Sequence, residues 1–350
     1  TTACTACSAA ALKSVDVTKA GWSATRRPLD SDHEVAGDWG PRTVSYRADP
    51  PTPAASASPV TAAKVFAFIN AQFFGLNDEG TKFKNCSTAY IRSMFRRFVK
   101  YHGSGNDFVV VRGSFEALWP AILVAEICHR RYGVGADGFM VVGPAEGADF
   151  RVDYYNADGG LGSLCGNGSR CAVDFARSQG LFAGSDCSFL AADGLHRAHW
   201  FGDGRVSVQF SDAPRPVAQH GGWFVNTGSP HHVALTDDLE SVEPLGEGRA
   251  LRFGVYAASG GANINWLAAE GDRCALRTYE RGVEDETLSC GTGAVAAALV
   301  AHTQWGLPSP VVLDARGGQL EVSFSSSPEG FTNIVLTGPV ARVFDGEWTA

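Results

Sequence analysis

Two cysteines stand in surroundings that suggest chemistry. Cys165 lies in Gly162–Ala176, GSLCGNGSRCAVDFA, and Cys290 in Thr287–Ala301, TLSCGTGAVAAALVA. Each segment has a small or polar approach, then Cys-Gly-X-Gly, then a run rich in alanine and aliphatic residues. That order predicts a helix opened by the cysteine. The first turn of a helix leaves backbone N–H groups without partners and carries a partial positive charge. A thiolate is stabilised there, so each thiol is expected to have its pKa lowered towards neutrality. The glycines let a carboxylate approach the same N–H groups without meeting a Cβ.

Two such helix starts, facing each other, would grip one α-carboxylate and hold one sulfur on each face of the α-carbon. Inversion of an amino-acid stereocentre needs that arrangement: a base takes the α-proton and an acid returns one to the opposite face. Preorganised donors stabilise the carbanionic charge, so no pyridoxal lysine or other cofactor is called for. A single Cys-Gly near a helix start is more often a packed small residue. The repetition points to function. Cys128, Cys171, Cys187 and Cys274 lack this context and read as buried structural thiols, and Cys4, Cys7 and Cys86 are assigned no role.

The sulfurs must be carried by elements that repeat. They are about 125 residues apart, the size of a small domain. The expected fold is therefore a duplicated α/β domain, each copy built around one central helix. With 350 residues, 45% of them hydrophobic and 19% charged, the chain has room for two globular domains. No apolar run reaches the roughly 20 residues that span a bilayer. A net charge of −8 gives no electrostatic case for nucleic acid or an anionic membrane, and a small diffusible substrate fits better. Nine cysteines form no set with zinc-site spacing, so neither a structural metal nor a disulfide framework is expected, and reduced thiols in a reducing compartment are the simpler reading.

The first 93 residues differ from the rest. The tract Ala48–Ala63 (ADPPTPAASASPVTAA) is linker-like, and Val65–Leu76 could form an amphipathic helix. From Met94 the text changes to MFRRFVKYHGSGNDFVVVRG, strand-like alternation leading into a glycine loop. Met94 is taken as the start of the enzyme. Residues 1–93 are expected to be disordered or outside it. Asp16, Asp30, Asp32, Glu34 and Asp38 make a poor transit peptide, so a translated upstream region or an incomplete gene model is weighed equally.

Seven motifs in order then resemble the diaminopimelate epimerase family: KYHGSGNDF (Lys100–Phe108), RRYGVGADG (Arg130–Gly138), YYNADG (Tyr154–Gly159), LCGNGSRC (Leu164–Cys171), NTGSPHHV (Asn226–Val233), NINW (Asn263–Trp266) and YERGVEDETLSCGTGA (Tyr279–Ala294). The resemblance implies two pseudo-symmetric domains, each a mixed β-sheet wrapped around a central helix, with the site in the cleft between them. It places the first domain at residues 94–213 with the C-terminal strand 338–350, and the second at 214–337. It implies interconversion of LL- and meso-2,6-diaminopimelate in lysine synthesis, with Cys290 taking the α-proton of the LL isomer and Cys165 donating on the other face.

The same resemblance assigns the α-carboxylate to backbone N–H groups of Gly166, Asn167, Gly291 and Thr292. It assigns substrate contacts to Asn106, Asn156, Ser229, Asn263, Glu280 and Arg281, and modulation of the thiols to His231 and Glu280. The bland readings are turn-forming asparagines at 106 and 156, a buried structural histidine at 231, and a solvated Glu280–Arg281 pair. Two departures bear on the distal end of the substrate. Ser229 stands where many members have asparagine, which leaves the contact to be remade through Asn226 or water, and Gly138 stands where some have glutamine.

Other readings are a proline, hydroxyproline or histidine racemase of the same architecture, or a non-catalytic binding protein. A dithiol oxidoreductase is disfavoured, since neither Cys165 nor Cys290 has a Cys-x-x-Cys partner. The expected location is cytoplasmic, or a plastid if residues 1–93 are a genuine transit peptide. A homodimer is carried as the candidate assembly. A chain starting at Met94 should fold and turn over substrate as fast as the full chain, because every motif lies after that residue. Loss of folding on this truncation, read by circular dichroism, would make the leader part of the domain.

Overall fold

A computed structural model describes residues 97–115, 118–162 and 165–348, all within one compact unit. The expectations for residues 1–93, including the Val65–Leu76 helix, lie outside the described residues.

The first half of the fold runs β1 (Arg97–Gly103), β2 (Asn106–Arg112), α1 (Ala121–Cys128), β3 (Gly138–Gly143), β4 (Phe150–Asn156), α2 (Gly166–Ser178), β5 (Asp186–Ala191), β6 (Gly194–Trp200), β7 (Arg205–Gln209) and the short β8 (Ala213–Pro214). The second runs β9 (Val217–Gln219), β10 (Gly222–Asn226), β11 (Pro230–Leu235), α3 (Pro244–Phe253), β12 (Asn263–Glu270), β13 (Arg273–Glu280), β14 (Asp285–Thr287), α4 (Gly291–Trp305), β15 (Val311–Ala315), β16 (Gly318–Ser327), β17 (Gly330–Pro339) and β18 (Ala341–Glu347).

The two halves pair their strands by the same rule. Along β1 to β7 the successive pairings are antiparallel, parallel, antiparallel, parallel, antiparallel, antiparallel. Along β10, β11, β12, β13, β15, β16 and β17 the same sequence recurs. Each parallel step needs a crossover, and the crossover before the second parallel step is the central helix, α2 or α4. The expected duplication is therefore present in the sheet as well as in the motifs. β17 joins the copies, pairing with β16 on one side and β7 on the other. β18 returns to pair with β1, and β9 flanks β10 in the matching place.

Each half-sheet wraps its helix, so the helix is buried on most sides. In α4, Ala294, Val295, Ala296, Ala297, Ala298, Leu299, Val300 and Ala301 are all inaccessible to solvent. Such a run has no polar face, which suits a helix enclosed by sheet rather than lying on it. The alanines let the strands approach closely. Cys128, Cys171, Cys187 and Cys274 are buried free thiols, as expected. No helix among the described residues is long and apolar enough to cross a membrane.

Enlarging a residue in α4 should expose how tight this enclosure is. Ala298→Leu is expected to cost about 1–3 kcal/mol, the usual penalty for overpacking a filled core. Urea unfolding at constant m-value measures it, and an unchanged midpoint would mean that the helix has room to spare.

Candidate functional site

Cys165 and Cys290 are the N-cap residues of α2 and α4, both with extended backbone. The helix starts abut. A Cβ added to Gly166 would lie 3.5 Å from the Cα of Gly291, and one added to Gly291 would lie 3.3 Å from the Cα of Gly166. Helical geometry leaves the N–H groups of Gly166, Asn167, Gly291 and Thr292 without intrahelical acceptors. The glycine at the third helical position is also demanded locally. A Cβ on Gly293 would come 2.6 Å from Asn265 Oδ1 and 3.4 Å from Cys290 Sγ, and one on Gly168 would press Met140 Sδ at 3.2 Å.

The thiols do not have the lowered pKa that the sequence suggested. Burial raises Cys165 to about 11, opposed by the N–H groups of Gly168 and Asn167 and by Arg170, with Glu280 adding to the rise. Burial raises Cys290 further, again with Glu280, against the Thr292 hydroxyl and the Gly293 N–H. The helix donors act in the expected direction, but removal of each sulfur from water outweighs them. Gly168 N–H reaches Cys165 Sγ at 3.5 Å, and Thr292 Oγ1 lies 3.5 Å from Cys290 Sγ.

On the first half, Asn106 faces Cys165. Its Oδ1 accepts from Cys165 Sγ at 3.7 Å and from Asn167 Nδ2 at 3.4 Å, while its Nδ2 donates to Asp137 at 2.8 Å. Asn106 is therefore held by Asp137, not by a local turn bond. Asp137 in turn accepts from Arg130, which also pairs with Asp107. Asn167 Nδ2 donates to the backbone carbonyl of Ser289 at 2.8 Å, linking the first helix to the residue before Cys290. Asn156 ends β4 opposite Gly138 in register, with its side chain exposed and its backbone closing the turn to Gly160. Gly138 has no room for a glutamine: a Cβ there would meet the Tyr154 ring at 2.5 Å.

On the second half, Asn263 gathers its neighbours. It donates to Ser229 Oγ at 2.9 Å and to the Pro230 carbonyl at 3.1 Å, and it accepts from the Arg281 N–H at 2.9 Å. Arg281 also donates to Ser229 Oγ at 3.3 Å, leaving the rest of its exposed guanidinium towards solvent. Glu280 accepts from Thr287 at 2.9 Å, so it forms no pair with Arg281, and burial raises its pKa. Asn226 Oδ1 accepts the Gly228 N–H at 3.0 Å, which shapes the turn just before Ser229. Thr227 fastens that turn to α4 through the Thr292 carbonyl at 2.8 Å.

His231 is fully buried, with Asn265 Nδ2 3.1 Å from Nδ1 and Asn263 Nδ2 3.5 Å from Nε2. Burial, with help from Arg281, lowers its pKa to about 3, so the ring is neutral at physiological pH. Reading the sequence missed Asp137, Tyr154, Thr227, Asn265, Thr287 and Arg170, although Asp137, Tyr154, Asn265, Thr287, Thr227 and Arg170 all stand inside the quoted motifs. Their types gave no chemical signal without their neighbours. Among the described residues no group of three or more His, Cys, Asp or Glu side chains could hold a metal ion.

Stability should follow the histidines. His231 and His232 both have folded pKa values depressed by burial, to about 3 and about 4. Their stabilisation is present above the unfolded value near 6.5 and is lost as pH falls from there towards 4. Melting temperatures between pH 7 and pH 4.5 should fall progressively, and His231→Gln should flatten part of that slope. A melting temperature constant over this window would contradict the burial of both rings.

Comparison with known proteins agrees with this geometry. The family model described as diaminopimelate epimerase matches residues 98–215 and 223–343, one stretch for each half. The diaminopimelate epimerase of Flavobacterium psychrophilum is 38% identical over 254 residues, covering 71% of this chain and 98% of that protein. That of Chlorobaculum tepidum is 40% identical over 260 residues, covering 71% and 99%. Among solved structures, a phenazine biosynthesis protein of the PhzF family from Bacillus anthracis superposes with a TM-score of 0.57 at 15% identity, covering 72% of this chain and 98% of that one. A hydroxyproline epimerase from Agrobacterium vitis gives 0.55 at 13% identity, covering 73% and 91%. At these identities the solved structures bear on the fold alone.

Proposed function

The chain belongs to the diaminopimelate epimerase family, and from that premise we propose that it interconverts LL- and meso-2,6-diaminopimelate with Cys165 and Cys290 as its acid/base pair. The observation that carries the reading is the contact of two cysteine-capped helix starts through Gly166 and Gly291. One α-carboxylate can then take N–H groups of Gly166, Asn167, Gly291 and Thr292 together. Its α-carbon lies between two sulfurs that belong to different halves of the fold.

Cys290 removes the α-proton of the LL isomer and Cys165 supplies a proton to the opposite face. In the reverse direction their roles exchange. The carbanionic charge is stabilised by fixed N–H donors, which need no reorganisation when charge develops. The buried thiols are protonated in the free protein, so the base has to form as the substrate brings its own charges into the site. Glu280 raises both thiols and is itself pushed towards its neutral form by burial, so its protonation tunes the pair.

The exposed guanidinium of Arg281, steadied by Ser229 and Asn263, suits the second carboxylate of a dicarboxylic substrate. This favours diaminopimelate over proline, which has no second charged end. The role of lysine synthesis, a cytoplasmic location and a homodimeric assembly go with this reading. So does a division into residues 94–213 with 338–350, and 214–337, which the pairing of β18 with β1 supports.

Cys165→Ala and Cys290→Ala should each abolish epimerisation while leaving the circular dichroism spectrum unchanged, since one thiol cannot serve both faces. Exchange of the substrate α-proton in D₂O, followed by NMR with LL-diaminopimelate and with proline, checks the mechanism and the substrate at once. Substantial turnover by either folded alanine variant would remove the two-base reading. Activity should also need a reductant and no added pyridoxal phosphate, because joining the two sulfurs would consume acid and base together.

A further inference from the structure

Arg170 is fully buried in α2, one turn beyond Cys165. Its guanidinium has only neutral partners in hydrogen-bonding reach. It donates to Ser104 Oγ at 3.0 Å, to Asn167 Oδ1 at 2.9 Å and to the Gly166 carbonyl at 3.3 Å, and its Nε is buried without a partner. None of the ion pairs among the described residues includes it. The fold makes space for this group: a Cβ on Gly338 of β17 would lie 3.0 Å from both Cζ and Nε. Ser104 meets it from the tip of the β1–β2 turn, in a left-handed conformation with φ of 52° that is uncommon for serine. A buried charge without an acid partner is costly, and a buried arginine is normally paired.

We propose that Arg170 is a positioning residue for the two-cysteine site: a buried, uncompensated cation that fixes Asn167 and keeps the paired helix starts electropositive for an anion.

Guanidinium N–H groups only donate, so Arg170 obliges Asn167 to present Oδ1 to it and Nδ2 to the other side. That Nδ2 donates to the Ser289 carbonyl, next to Cys290, and to Asn106 Oδ1, which faces Cys165. One side chain thus sets the orientation of groups beside both sulfurs. Its charge is completed by anions that arrive only in function, the thiolate and the substrate carboxylate. Burial lowers Arg170 to about 10, which still leaves it charged at neutral pH. The titratable and charged groups facing Cys165 are Arg170 and Cys171 on its own helix, Tyr154 on β4, Glu280 on β13 and Cys290 on the second half. Arg170 is the cation in that set.

The inference rests on the two-cysteine reading, but alkylation of Cys165 tests it without any substrate. In the full chain, iodoacetamide labelling of Cys165 would be followed by peptide mass spectrometry at about pH 8, where Arg170 is charged. Arg170→Gln should slow labelling about tenfold, as expected for loss of one nearby charge. Arg170→Lys keeps the charge, and Ser104→Ala removes only a neutral contact, so both should label within about twofold of the unsubstituted chain. At the same pH, kcat/KM for α-proton exchange should fall with the labelling rate. If Arg170→Gln does not fold, Asn167→Asp sets a carboxylate on the guanidinium, and the same slowing is expected. An unchanged labelling rate in the folded charge-removing or charge-pairing variant overturns the proposal, whatever the turnover. A slowed rate with no turnover of diaminopimelate by the unsubstituted chain would leave it standing and sink the substrate assignment.

Discussion

The contact between Gly166 and Gly291 is the constraint from which most of the structure follows. The two glycines let the helices meet start to start closely: a Cβ on Gly166 would lie 3.5 Å from the Gly291 Cα and 3.0 Å from the Phe210 ring, and one on Gly291 would lie 3.3 Å from the Gly166 Cα and 3.1 Å from Leu336. Their dipoles repel when they meet in this way, because both ends are positive. The repulsion is tolerable if the helices are held from behind, and the sheet does this. Each half-sheet encloses its helix, and β17 pairs into both halves at once. The sheet therefore holds two like partial charges together at one point.

Burial and the helix donors pull each thiol in opposite directions. Each unit of pKa difference corresponds to about 1.4 kcal/mol, and burial wins in the protein without substrate. The outcome is a pair of thiols rather than a standing thiolate. That suits the proposed mechanism, in which each sulfur is base in one direction and acid in the other, since neither is committed before the substrate binds. The buried guanidinium behind Asn167 works with the helix donors and against Glu280. Proton affinity at the sulfurs is thus the balance of several moderate influences.

The duplication is close in the sheet and absent in the polar groups of the proposed site. The first half sets Asn106, held by Asp137, beside Cys165, and the second gathers Asn263, Ser229 and Arg281. In the proposed reaction the α-carbon end needs symmetry, because both faces of one carbon are attacked. The distal end needs direction because one end of the substrate must be told from the other. Ser229 serves here by anchoring Arg281 and Asn263, so a shorter residue still organises the group that carries the charge.

The sequence by itself determined the repeat, the two helices opened by Cys165 and Cys290, the status of the four other described cysteines as buried thiols and the family. These are matters of local pattern: glycine spacing, aliphatic runs and ordered motifs are legible wherever the chain later goes. Tertiary structure alone decided what surrounds each group. It turned the expected low thiol pKa into a raised one, because desolvation depends on how completely two halves close over a sulfur. It gave Asn106 to Asp137, turned Asn226 back onto its own loop, kept Glu280 from Arg281, and filled the space beside Gly138 with Tyr154. It also left Arg170 buried without an acid. An arginine on a helix reads as a solvated cation in sequence, and only the packing of Ser104, Asn167 and Gly338 around it shows that water and counter-charge are both excluded.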